Sequence, residues 1–112
     1  MSSAPTDGPT PVVEVTNHPQ QLRYEITVDG EHAGISQYAD HRGVRTFVHT
    51  EIADGFEGMG LASRLIGDAL ADVRARGMTI VPQCPFVRSY VERHHDVADL
   101  LAPGTDLAGG AR

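Results

Sequence analysis

Between residues 12 and 52 the apolar side chains fall at alternate positions, and from Ala62 to Val73 they recur every three or four. A period of two is that of a strand with one buried face, whereas a period near 3.6 is that of a helix. The switch is made across ADGFEGMG, residues 53–60. A chain with this pattern has to build antiparallel sheet first and then carry a helix across it.

The strand runs can be bounded from their turns. VVEVT (12–16) and LRYEITV (22–28) are separated by the turn-like NHPQQ. Asp29-Gly30 then predicts a tight hairpin, because glycine accepts the positive φ such a turn requires. HAGISQYA (32–39) is the returning strand, and ADHRG (39–43) turns into VRTFVHTEI (44–52). Strict alternation there sets Val44, Thr46, Val48 and Thr50 on one face and Arg45, Phe47, His49 and Glu51 on the other.

In the helical part, Ala62, Leu65, Ile66, Ala69, Leu70 and Val73 share one side, with Ser63, Arg64, Asp68, Asp72 and Arg76 outside. Asp72 and Arg76 form an i,i+4 pair in the favourable order, and Gly77 is placed to cap the C-terminus. MTIVP (78–82) reads as a buried strand halted by proline. Phe86, Val87, Tyr90 and Val91 predict a shorter helix over about 86–94, and DVADLLA adds one last turn or two. The strand before the glycine turn and MTIVP are expected to be parallel, joined by a right-handed crossover. The fold class is therefore α/β of the α+β kind: a mixed, mostly antiparallel sheet with helices on its faces. Residues 12–103 form the domain, 1–11 are expected as a disordered lead and 104–112 as a flexible tail.

At 112 residues this is one domain. No apolar run approaches the ~18 residues of a membrane span. The start, MSSAPTDGPTP, has neither a basic nor an apolar stretch, so no signal peptide is expected. One cysteine cannot form an internal disulfide, which suits a reducing cytoplasm. The formal charge is −6 and every cation is an arginine. Such a balance disfavours nucleic acid, where phosphate neutralisation supplies most of the affinity, and weakly favours a cationic partner such as an amine. Any anionic ligand must then be held by a local arrangement of donors.

EGMGLAS (57–63) offers one. A strand ending in a glycine turn that opens a helix leaves main-chain N–H groups unpaired at the positive end of the helix dipole, a site for phosphate. An isolated pair of glycines also serves simply to build a turn. The wider segment from VRTFVHTEI through GMGLASRLIGDALADVRARG to VPQCPFVRSYVERH resembles the GNAT superfamily of N-acetyltransferases, and within it the very small YjdJ-type proteins. That superfamily has a diphosphate loop of the form Q/R-x-x-G-x-G/A, and Glu57-Gly58-Met59-Gly60-Leu61-Ala62 fills its frame. The strand ending VPQC and the helix YVERH extend the likeness over about residues 12–103.

The resemblance implies a minimal GNAT-like fold and transfer of an acetyl group from acetyl-coenzyme A to a small-molecule or protein amine. It implies cofactor contacts from Ile52, Glu57, Gly58, Met59, Gly60, Leu61, Ala62 and Ser63. Cys84 is expected to border the thioester, either protonating the leaving thiolate or taking the acetyl group itself; lone cysteines also commonly pack as small hydrophobes. Tyr90 lies where the superfamily's tyrosine acid usually lies, although its spacing with Phe86, Val87 and Val91 equally describes a core residue. Glu51 and His49 are candidates to relay the proton of the incoming ammonium. Arg64 and Arg88 are candidates for the phosphates, or simply solvated arginines. His94-His95-Asp96 lacks zinc-ligand spacing, and no metal is expected.

Two departures matter. Glu57 stands where the pattern has Gln or Arg, and a carboxylate beside a diphosphate is unfavourable unless it points away. The chain is also too short for the N-terminal helices with which larger members shape the acceptor pocket. A module that holds coenzyme A or an acyl form of it without efficient transfer, as a sensor or partner subunit, is the alternative. The expected state is a monomer or weak dimer.

Overall fold

Asp29 and Gly30 both have positive φ, 51° and 83°, the pairing a two-residue turn needs to match the twist of the strands it joins. The turn connects β2 (Arg23–Val28) to β3 (Glu31–His41), and Arg42-Gly43 repeats the device between β3 and β4 (Val44–Ile52). β1 (Val13–His18) precedes them, followed by a short 3-10 turn at Pro19–Gln21. A computed structural model describes residues 10–105. Of the expected lead and tail, residues 1–9 and 106–112 lie outside the described residues.

Beyond β4 the chain forms α1 (Leu61–Ala75), β5 (Thr79–Pro82), α2 (Pro85–Arg93) and a 3-10 segment at His95–Leu100. The sheet has the order β1-β2-β3-β4-β5. Its first four strands are antiparallel, and β5 runs parallel to β4. Gly77, at φ 70°, turns the chain out of α1 toward β5.

Both helices cover one face of this sheet. Tyr24, Ile26, Val28, Tyr38, Phe47 and Ile80 project from that face, and meet Leu65, Ile66, Ala69, Leu70 and Val73 of α1 with Val87 and Val91 of α2 in one apolar cluster. Each such aliphatic side chain contributes about 1.5–3 kcal/mol on burial. The inward stripe of α1 begins at Leu61, 5% exposed, whereas Ala62 is only partly covered. The opposite face carries Thr16, Arg23, Glu25, Gln37, His49 and Glu51, and no described helix lies over it.

Arg45 is the charged exception inside, 4% exposed. Its guanidinium grips Asp40 through two hydrogen bonds, of 2.7 and 2.8 Å, donates a third to Tyr24 Oη at 2.7 Å, and lies 3.9 Å over the ring of Tyr38. Tyr24 in turn donates to Asp72 of α1 at 2.7 Å, and Asp72 also receives Arg76 at 2.8 Å. Helix, second strand and fourth strand are thus tied through one polar chain in which each guanidinium nitrogen of Arg45 has an acceptor.

The alternation expected along β4 holds only as far as Phe47. Tyr38 pairs with Phe47 but Gln37 pairs with His49, so Val48 is an extra residue, a β-bulge. Beyond Phe47 the bulge reverses the faces that strict alternation assigns: Thr50 lies on the helix-covered side with Phe47, while His49 and Glu51, expected on the face of Phe47, turn to the open side.

Candidate functional site

The ladder between β4 and β5 runs from Val44–Thr79 to Phe47–Pro82 and goes no further. The next amide that could extend it, that of Gln83, turns back to the Val81 carbonyl at 3.0 Å, and the amide of Cys84 closes on the Phe47 carbonyl at 2.8 Å. β4 continues to Ile52 with β3 on one side and no described strand on the other. Which amides face that free edge follows from the ladder. The Ala53 N–H donates to the Ala33 carbonyl at 2.8 Å. Antiparallel bonding alternates, so Glu51 and His49 also aim at β3, and the N–H and C=O of Thr50 and Ile52 point outward into the gap. Gly34 makes this course possible, since a Cβ there would lie 2.7 Å from Ile52 Cδ1 and 2.8 Å from the Glu51 carbonyl.

At the far end of the gap, the loop from 53 to 60 turns into α1 through glycines at positive φ: 93° at Gly55, 82° at Gly58 and 74° at Gly60. Gly60 is the N-cap and no side chain caps the helix. The first helical bond is from the Arg64 amide to the Gly60 carbonyl, which leaves the amides of Leu61, Ala62 and Ser63 without an intrahelical acceptor. A Cβ at Gly58 or Gly60 would meet nothing within 4 Å; the space outside the loop is open for a ligand to approach the backbone.

A cleft of about 300 Å³ lies there, lined by Ile52, Phe56, Glu57, Gly58, Gly60, Leu61, Ala62, Ser63 and Phe86. It brings together every residue expected to hold the diphosphate except Met59, which is 47% exposed. Phe56 and Phe86 are additions: one is an aromatic inside a glycine loop, the other sits in the first turn of α2, and neither had a motif to mark it. The carboxylate of Glu57 accepts the Gly55 amide at 3.0 Å, so it is engaged within its own loop.

Cys84 is the N-cap of α2, with Pro85 at the first helical position. It is 4% exposed, and its thiol donates to Thr50 Oγ1 at 3.5 Å. Thr50 Oγ1 is also 2.9 Å from the hydroxyl of the fully buried Ser36. On the open side of the same strand, His49 Nε2 and Glu51 Oε1 are 2.9 Å apart, both side chains more than half exposed.

Tyr90 lies elsewhere. Its ring stacks on His94 at 3.8 Å, and its hydroxyl sits over Gly67 of α1, where a Cβ would approach it to 2.8 Å. It borders a groove with Leu70, Ala71, Arg74, Asp96 and Val97. Partial burial, together with the charges of Asp96 and Asp68, pushes its hydroxyl above the usual tyrosine range. Arg64 pairs with Asp68 at 2.9 Å, and Arg88 lines a separate cleft of about 560 Å³ beyond the outer edge of β5. Among the described residues no three His, Cys, Asp or Glu side chains gather as metal ligands, and no described helix is long and apolar enough to cross a membrane.

A sequence model of the family described as GCN5-related N-acetyl-transferase matches residues 23–100. Among solved structures, the NMR solution structure of a GCN5-like protein from Staphylococcus aureus superposes with a TM-score of 0.63 at 17% identity, covering 88% of this chain and 96% of that one. No curated protein matches the chain.

Proposed function

The chain belongs to the GCN5-related N-acetyltransferases, an acyltransferase family, and from that premise we propose that it moves an acetyl group from acetyl-coenzyme A to a primary amine. Within the family we group it with the small YjdJ-type members, on the strand end VPQC and the helix YVERH, acting in the cytoplasm as a monomer or weak dimer. The observation that carries the reading is the uncapped mouth of α1 opening into the same cleft as Ile52 at the unpaired edge of β4.

The amides of Leu61, Ala62 and Ser63, with the loop at Glu57–Gly60, suit the diphosphate, and Glu57 is held back by Gly55. Thr50, through its outward N–H and C=O, and Ile52, through its C=O, receive the amide-bearing arm, as an edge strand receives an added strand. Acetyl-coenzyme A supplies the activated acyl group. Around it, the N–H of Ile52 stabilises negative charge on the acyl oxygen. Glu51, with His49 beside it, takes the proton of the amine on the open face of the sheet. The Cys84 thiol protonates the departing sulfur. Its burial against Thr50 and its place at the root of the gap favour it over Tyr90, whose hydroxyl rests on Gly67.

The test combines binding and turnover. Acetyl-coenzyme A at about 100 times its dissociation constant stabilises the protein by ~2.7 kcal/mol, read as a rise in melting temperature, and amines then release free thiol. Ala62→Glu is the informative variant. A carboxylate in the first turn favours the helix but opposes a diphosphate, so the variant is as stable as the parent and loses the shift. A parent protein whose melting is indifferent to acetyl-coenzyme A ends the proposal. A clear shift with no thiol release over a broad amine panel favours instead a module that only holds the cofactor.

A further inference from the structure

Ser36, Thr50 and Cys84 come from three different elements, β3, β4 and the cap of α2, yet their polar atoms form an unbroken chain of 2.9 and 3.5 Å contacts. The chain exists because of the bulge at Val48. Without the extra residue, alternation would turn Thr50 onto the open face and leave the thiol of Cys84 against apolar neighbours. Ser36 is 0% exposed, and Thr50 is the side-chain partner its hydroxyl finds. A buried hydroxyl is costly unless paired, so Ser36 fixes where Thr50 Oγ1 sits.

We propose that Thr50, backed by Ser36, is a positioning residue for Cys84: it orients the thiol and donates a hydrogen bond to the sulfur once the proton has left. The inference rests on the reading of Cys84 as the proton donor. In the reaction the amine nitrogen forms its bond to the acyl carbon, and the carbon–sulfur bond breaks with its electron pair on the cofactor sulfur. That sulfur takes the proton of Cys84, and the surplus proton of the new ammonium leaves through Glu51 to water. Cys84 remains briefly as thiolate, with the Thr50 hydroxyl turned toward it and Ser36 donating to Thr50, until it regains a proton from solvent. Thr50 Oγ1 thus keeps both neighbours, accepting from Ser36 and donating to the sulfur.

Cys84 is the only cysteine in the chain, so alkylation by iodoacetamide reports on this sulfur alone. Thr50→Val keeps the branched shape and removes the donor; it is expected to slow alkylation at neutral pH by about tenfold, the scale of a lost hydrogen bond to a charged group. Thr50→Ser restores the rate. Ser36→Ala gives an intermediate loss. Looser packing would instead expose the thiol and speed alkylation, so the direction separates positioning from damage. A Thr50→Val protein that alkylates as fast as the parent, or faster, overturns the inference. The melting shift with acetyl-coenzyme A is measured on the same samples. Its absence in the parent defeats the proposed function, whereas its presence alongside unchanged alkylation defeats only the role of Thr50.

Discussion

The hydroxyl of Tyr90 occupies the space that a side chain at position 67 would need. Its helical spacing with Phe86, Val87 and Val91 is readable from the sequence, but spacing cannot say whether the ring ends in a reaction site or against a glycine on the next helix. That glycine, in the middle of α1, is the only written trace of the contact. Tyr90→Phe is therefore expected to keep acetyl transfer within about threefold, whereas Cys84→Ala loses about a hundredfold, the lower range for a missing acid. Gly67→Ala supplies a coupled check. In the Phe background it stabilises by up to ~1 kcal/mol through helix propensity, and with Tyr90 present the clash cancels the gain. Chemical denaturation of the four proteins measures the coupling, and simple additivity would count against the contact.

Between elements, the polar chain from Arg45 through Tyr24 to Asp72 links α1 to the sheet. Partial burial alone would raise the Asp72 carboxyl, but hydrogen bonds from Arg76 and Tyr24 and the charges of Arg76 and Arg45 hold it below the usual aspartate range. Folding thus favours the ionised form. The stability it contributes is complete above the unfolded value of about 3.9 and is lost as pH falls through the lower folded value. Asp72→Asn should cost about 1–2 kcal/mol at neutral pH and flatten the decline of melting temperature below about pH 4; an unchanged acid limb would show the carboxylate to be idle. Of this network the sequence revealed the Asp72–Arg76 pair by its i,i+4 spacing. Arg45 was visible only as a charge on the same strand face as Phe47, with no clue to Asp40 or the tyrosines that surround it. The bulge in β4 was equally hidden, because one extra residue leaves the composition of a strand untouched.

For the molecule as a whole, the order of elements and the parallel return of β5 could be read from periodicity and turn chemistry, since each is a local signal repeated over many residues. The glycine mouth of α1 was legible too. What escaped was the shared side of the two helices, which follows from the parallel return of the chain at Leu101 beside Ile80, a second crossover in the same direction as the first. The chain carries a formal charge of −6, and the proposed nucleotide cofactor would approach against that sign. Salt shortens the reach of the repulsion, from a Debye length of about 10 Å at 0.1 M, so acetyl-coenzyme A should associate faster as ionic strength rises. Stopped-flow rates that fall with salt would reveal a local positive field strong enough to outweigh the total.

A strand that stops at proline cannot be lengthened by slipping. If β5 slid one residue along its neighbour, an imide nitrogen would be asked to bond in mid-ladder, and the amide of Cys84 would lose the Phe47 carbonyl. The parting of the two strands is thus latched by covalent chemistry, and the vacant berth beside β4 stands ready before any guest arrives.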